Sequence, residues 1–335
     1  MIAALLLGPG AACGKRSSES NAPPPEITGL AAVPATAETV IGFDVPKLGG
    51  SQVIDRMVDQ LLLRNPVLSE RWQHLRDSCK IDFEKQVKRV MLAIGPHTAP
   101  AVGTGPVIMV VVGSIPEADL KDCVAKLVGA GGGAVTGKPV FGRTLYLAKD
   151  GNRAMYFAYG KPDTIVMSAS EPYITEALGA GKKAPDNPEL AKWLKLVNQN
   201  SPMWAAGQTD ARVREGLVRF SEGKLSAGPL AYTATVDVTD GLGLQLGVVM
   251  SRPEDAKALE SFVKGELALL TAAAQLKSLG PVVGKLAVTV DNDIVRFRVA
   301  LTVEDLNLLL SALDGGDAPA QDSAPPTQGS GSGTK

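Results

Sequence analysis

Histidine, the side chain best suited to proton transfer near neutral pH and a common metal ligand, occurs only twice in 335 residues, at His74 and His97. Neither lies in an HExxH run and no paired cysteine ligands accompany them, so no zinc site is expected. The GxSxG elbow that would expose a serine nucleophile is absent. Gly132 to Pro139 (GGAVTGKP) comes close to a phosphate-binding loop, but Pro139 stands where a hydroxyl must hold Mg²⁺. The elements around it also read helix then strand, the reverse of the required order. Gly129-x-Gly131-x-x-Ala134 fails as a dinucleotide fingerprint for the same reason. Asp291-Asn292-Asp293 begins like a calcium loop, yet runs into Ile-Val-Arg without the glycine and later glutamate such a loop needs. Glu254-Asp255 and Glu304-Asp305 fall in first helical turns, where the helix dipole accounts for them. Trp72, Trp193 and Trp204 read as core or helix-packing residues. No catalytic residue, metal ligand or cofactor is expected.

Composition narrows the partners. With 34 Lys+Arg against 35 Asp+Glu, the formal net charge is −1, so no general field draws the chain onto nucleic acid. The densest basic stretch, Lys80 to Arg89, also holds Asp82 and Glu84 and reads as a solvated helix face. Aromatics make up 4% of the chain, and no strand interleaves them with basic residues to stack bases. A hydrophobic content of 45% is ample for a core. It is unevenly spread, because residues 314–335 contain no Val, Ile, Leu, Met or aromatic and read as a disordered tail.

Strands are expected at Thr39–Val45, Val87–Ile94 and Pro106–Val112, the last a continuous apolar run of the kind buried on both faces. Amphipathic helices are expected at Ser51–Arg64, Val67–Asp77 and Glu117–Val128. A meander of Pro139–Ala148, Ala154–Tyr159 and Thr164–Ser168 follows, its turns signalled by Asp150-Gly151-Asn152 and Lys161-Pro162-Asp163. Glu171–Leu178 closes a first unit, 28–181, and Lys182–Asn187 reads as the boundary. The second unit, 188–313, alternates short helices and strands around a long helix at Pro253–Leu276. Ser114-x-Pro-Glu117 and Ser251-x-Pro-Glu254 read as capping boxes that join a strand to a helix, as do Ser168 to Glu171 and Thr302 to Asp305. The paired boxes lie 54 and 51 residues apart. The expected fold is therefore α+β: two related units from an internal duplication, each with a mostly antiparallel sheet and helices packed on one face.

The N-terminus reads MIAALLLGPGAAC, an uncharged apolar run ending in small residues before Cys13, after which the chain turns polar and Pro-rich. It resembles the lipobox of a bacterial lipoprotein precursor. Ala11 and Ala12 match the small residues before the cysteine, and Gly14 and Lys15 are common followers. Gly10 departs from the usual Leu, and the missing basic n-region is accounted for by a start codon upstream of Met1. The resemblance implies residues 1–12 as a signal peptide, Cys13 as the lipidated residue, 13–27 as a flexible linker, and a membrane partner reached through the lipid. With Gly14 rather than Asp after the cysteine, it also implies the outer membrane of the bacterial envelope.

Lipidating Cys13 would leave Cys79 and Cys123 as a pair, and in an oxidising periplasm a disulfide between them is expected. It would close a loop of about 45 residues, for about 4 kcal/mol of chain entropy. The alternative is two buried thiols, since Cys123 lies on the stripe Leu120, Cys123, Val124, Leu127. No CxxC occurs, so a redox-active dithiol is not indicated. The body is expected to be non-enzymatic, with a structural or envelope-partner role. The alternative is a lipid- or small-molecule-binding module with a groove between sheet and helices such as Ser51–Arg64; an envelope hydrolase is the least favoured reading.

Overall fold

The computed structural model describes residues 26–79, 81–97, 105–275 and 280–314. Cys13, the linker before Glu26 and residues 315–335 lie outside them. The strands are β1 (Thr39–Asp44), β2 (Val87–Ile94), β3 (Val107–Gly113), β4 (Ala134–Val140), β5 (Arg143–Asp150), β6 (Arg153–Lys161), β7 (Thr164–Ser168), β8 (Met203–Gln208), β9 (Ala231–Asp237), β10 (Leu242–Val249), β11 (Ala287–Asp291) and β12 (Ile294–Leu301). Between β1 and β2 come α1 (Val45–Leu48), α2 (Gln52–Arg64), α3 (Pro66–Ser78) and α4 (Phe83–Gln86). After β3 comes α5 (Glu117–Gly129); α6 (Glu171–Leu178) and α7 (Pro188–Leu194) lead from β7 to β8. Beyond β8 lie α8 (Ala211–Phe220), α9 (Pro253–Gln275), α10 (Gly280–Val283) and α11 (Val303–Asp314).

All twelve strands join one sheet in the order β11-β12-β10-β9-β8-β1-β2-β3-β7-β6-β5-β4. Each neighbouring pair is antiparallel. The fold is thus α+β on one large antiparallel sheet, and β1 with β8 is the seam near its centre where the earlier and later strands of the chain meet. Lys182–Asn187 is tied to residues near the start of the chain: Ala184 N–H donates to Val33 C=O, Ala35 N–H to Lys182 C=O, and Asn187 Nδ2 to Ala35 C=O at 2.8 Å.

Helices pack on both faces of this sheet, where one face was expected. Alternate residues of a strand point to opposite sides, and on β3 they part between two cores. Ile108 and Val110 join Ile174 and Leu178 of α6 and Leu190 and Trp193 of α7. Val111 faces the other way and joins Leu120 and Cys123 of α5. A third cluster, on the same face as the α5 core, places Leu259 and Phe262 of α9 over Val288 of β11 and Val295 of β12. The apolar run of β3 is what two-sided burial requires.

The expected strand Pro139–Ala148 is two strands, β4 and β5, with a turn at Phe141-Gly142 where both residues have positive φ (49° and 73°). A tight hairpin turn of this hand needs left-handed backbone, which a bulky phenylalanine rarely signals. The capping boxes also differ from expectation. Pro116, extended at ψ 143°, occupies the N-cap of α5 with no side-chain bond, so Ser114 is too early to cap. Ser170, not Ser168, caps α6. Thr302 and Asp305 form the reciprocal pair: Asp305 N–H donates to Thr302 Oγ1 and Thr302 N–H to Asp305 Oδ2.

Candidate functional site

Cys79 and Cys123 are joined by a disulfide with their Cα atoms 4.8 Å apart. It fastens the chain just beyond α3 to the buried stripe of α5. Lys126 of α5 adds a bond from its Nζ to Ser78 C=O at 3.5 Å. At the other end, Ser51 caps α2 and its buried hydroxyl donates to Val238 C=O at 2.8 Å. Between these two fastenings α2 and α3, joined through Asn65, form a helical hairpin on which no residue of α2 is buried, though Arg56 of α2 donates to Asn307 Oδ1 of α11 at 2.5 Å. Its apolar side chains face solvent: Met57 is 62% exposed, Leu61 55%, Leu63 74% and Trp72 41%, with Val58, Val67 and Leu68 also exposed. In α2 the residues Val53, Ile54, Met57, Val58, Leu61 and Leu62 recur at helical spacing and form one apolar stripe.

A second apolar surface lies on the middle of the sheet, on the face that carries α5 and α9 at its flanks. Cross-strand partners project to the same side, so the register fixes its membership. Leu92, Ile41, Ala205 and Ala234 follow one another across β2, β1, β8 and β9. One step along the strands, Val90, Phe43, Met203 and Val236 do the same. Leu246 and Leu244 of β10 extend the two rows. Ten positions in succession are apolar, and nine are only half-buried while Leu244 is exposed. The opposite face of the same strands is closed, with Val40, Ala93 and Ala206 fully buried. From β2 to β10 the floor spans four strand spacings, about 19 Å.

The sequence-weighed chemical groups have structural partners. His97 places Nδ1 3.0 Å from Glu38 Oε2 and Nε2 3.3 Å from Asp210 Oδ2. Glu38 precedes β1 and Asp210 caps α8, so the ring bridges the two strands' ends at the centre of the sheet. With both nitrogens so held, neither is directed at a nucleophile. His74 belongs to α3, and its side chain lies outside the described residues. Gly132 to Pro139 forms the end of α5's turn and β4. Trp193 and Trp204 share the core beneath α7, whereas Trp72 is exposed beside Phe83 with ring centroids 6.4 Å apart. Asp291-Asn292-Asp293 is the turn between β11 and β12, with Asn292 at φ 52°. Asp255 is buried and receives Arg252 and Ser226, which hold its carboxyl below the usual range.

Two clefts open elsewhere. One of about 490 Å³ runs along α8 beside Arg214, Glu215 and Arg219. The other, about 560 Å³, is bounded by Glu26, Glu117, Arg143, Tyr159 and Lys161. Arg143 there donates to Gly160 C=O at 2.9 Å and Tyr159 to Ile115 C=O at 3.0 Å, so both support backbone. Burial pushes the Tyr159 phenol above its ordinary pKa. Among the described residues no cluster of three or more His, Cys, Asp or Glu is placed to hold a metal ion, and no helix is long and apolar enough to cross a membrane.

No family model matches the chain, and no curated protein matches it. Among solved structures it is similar to one described as crystal form I of TP0453, at 11% identity and a TM-score of 0.44, over 85% of this chain and 98% of that one.

Proposed function

We propose that the chain is a non-enzymatic lipoprotein of the bacterial envelope, held by a lipid on Cys13, with the outer membrane as its site and a structural or partner-binding role. The observation that carries the proposal is the apolar, uncharged run ending in Ala11-Ala12-Cys13 and followed at once by a polar, Pro-rich linker. One acyl chain gives only marginal attachment, and the two chains of a diacylglyceryl group suffice for a stable anchor. Mass spectrometry of the mature N-terminus from native membranes tests the anchor. An acylated cysteine at position 13 is expected; an intact Met1 with unmodified Cys13 would overturn it.

We infer further that the body is one α+β unit used twice. Outward from the centre, β1, β2, β3, β7 and β6 run in one direction as β8, β9, β10, β12 and β11 run in the other. Each series inserts helices after its first and third members and ends in a helix, and the first adds the β4–β5 hairpin. Equivalent backbone bonds join equivalent points: Gly113 N–H donates to Asp163 C=O at 2.8 Å, and Met250 N–H to Asp293 C=O at 2.7 Å.

A second reading, a binding module for an apolar ligand, is favoured by the half-buried floor around Ile41, Phe43, Met203 and Ala205. Titration with cis-parinaric acid tests it. Saturable fluorescence enhancement supports the reading, and its absence at micromolar protein sinks it.

A further inference from the structure

We propose that the hairpin α2–α3 lies in the lipid–water interface of the bilayer that holds the Cys13 anchor. The proposal rests on the lipid-anchor reading above. Each helix of the hairpin has 13 residues and is about 20 Å long. The hairpin, joined to α11 by Arg56 donating to Asn307 Oδ1 at 2.5 Å, still projects Met57, Leu61, Leu63, Val67 and Trp72 into solvent, and an exposed apolar patch of this kind marks an interaction surface. An amphipathic helix of this kind seats its apolar side at the headgroup boundary.

Where the chain enters the body identifies the occupant as membrane. Glu26 lines the same cleft as Pro116 and Glu117 at the start of α5. Cys123, to which the hairpin is stapled, follows Glu117 by six residues in that helix, a rise of about 9 Å. The tether therefore leaves the body close to the α3 end of the hairpin, whereas its α2 end is held at Val238 after β9. The 13 residues from Gly14 to Glu26 span at most about 45 Å when extended. A lipid on Cys13 and the helix pair whose α3 end lies near the tether's exit can thus engage one bilayer together, and the anchor keeps the hairpin at high local lipid concentration.

Charge predicts the character of the contact. Residues 52–78 carry Asp55, Asp59, Glu70 and Asp77 against Arg56, Arg64, Arg71 and Arg76, a balance of zero. Docking is then driven by apolar burial rather than by attraction to anionic headgroups, and it persists at high salt.

The experiment uses the full chain with Cys13→Ser, so that no acyl group contributes, and vesicles of phosphatidylethanolamine and phosphatidylglycerol. Tryptophan emission should shift to the blue on vesicle addition, brominated lipid should quench it, and both effects should vanish in Trp72→Phe. In the same background Met57→Glu with Leu61→Glu should lower partitioning roughly tenfold or more, at low and high salt alike. The apolar segment before residue 13 is common to both proteins, so the difference reads the hairpin alone. Both substituted side chains are exposed, and an unchanged unfolding transition checks that the variant folds; the Trp72 quenching needs no change at Met57 or Leu61. Equal partitioning of the two proteins, or unquenched Trp72, overturns the proposal. So does a concentration-dependent dimer that the same substitutions abolish, which would make a second copy the occupant. Acylation of Cys13 is read separately by mass spectrometry, so failure of the anchor and failure of the hairpin are told apart.

Discussion

Trp204 of β8 lies directly across the central seam from Gly42 of β1, and its indole occupies the space a side chain at position 42 would need. A Cβ on Gly42 would fall 2.2 Å from Trp204 Cε2. The ring is buried and packs with Val40 and Ala206 in the core that both halves of the chain share. Gly42→Ala should therefore destabilise the fold by about 1–3 kcal/mol through overpacking. Trp204→Leu in the same chain should relieve the clash and make the alanine cheaper than it is alone. Denaturant unfolding of the four proteins in this cycle checks both statements.

Removing the staple should act on the hairpin before it acts on the sheet. Cys79→Ser with Cys123→Ser should cost up to about 4 kcal/mol by the loop-entropy estimate for a separation of 44 residues. Because α2 has no buried residue, limited proteolysis should cut within residues 52–78 of the double variant faster than in the parent. Reductant should reproduce this in the parent and change nothing in the variant.

Acid should weaken the join between the 221–228 loop and α9. Arg252 and Ser226 both bond Asp255 and hold its carboxyl below the ordinary carboxylate pKa. A carboxyl depressed on folding contributes stability above its unfolded pKa, near 3.9, and loses it as the pH falls through the folded value. Asp255→Asn should therefore be less stable than the parent at neutral pH, and the gap should narrow below pH ~4. Thermal melts across that range measure it.

On the apolar floor, function and stability should separate. Met203 is half-buried, so Met203→Gln, similar in length, should cost only about 1 kcal/mol of stability. If the floor takes an acyl chain, the same change should weaken cis-parinaric acid roughly tenfold. Fluorescence titration beside a denaturant curve gives both numbers.

Much of the architecture could be read from local pattern. Ser51 before an apolar stripe announced α2, and Lys161-Pro162-Asp163 announced the turn between β6 and β7. What failed was local in another way. Phe141 adopts a left-handed conformation that its residue type does not advertise, so one expected strand became two. Pro116 displaced the cap expected from Ser114. Helices on both faces were foreshadowed by the unbroken apolar run of β3, but period-two logic does not say which helix covers which side. The floor was illegible for a different reason: its rows exist only once β2, β1, β8, β9 and β10 are neighbours, and that order depends on the pairing of β1 with β8. Likewise His97 and Asp210 stand 113 residues apart in the chain, and nothing near either points to the other.

The pairing of β1 with β8 also sets a timetable. Thr39 meets Gly207 and Phe43 meets Met203, so the middle of the sheet joins residues more than 150 positions apart, with nearly all of the first half lying between them. Contacts of that span are slow to form. A chain emerging N-terminus first can zip β1, β2, β3 and β7 together and must then hold β1 as a naked edge until residue 208 has appeared. An open edge is a template for another chain. Two nascent copies that meet at this stage can exchange their β8 strands, so crowded synthesis should yield swapped dimers, and slower synthesis or an edge-binding chaperone should yield monomers.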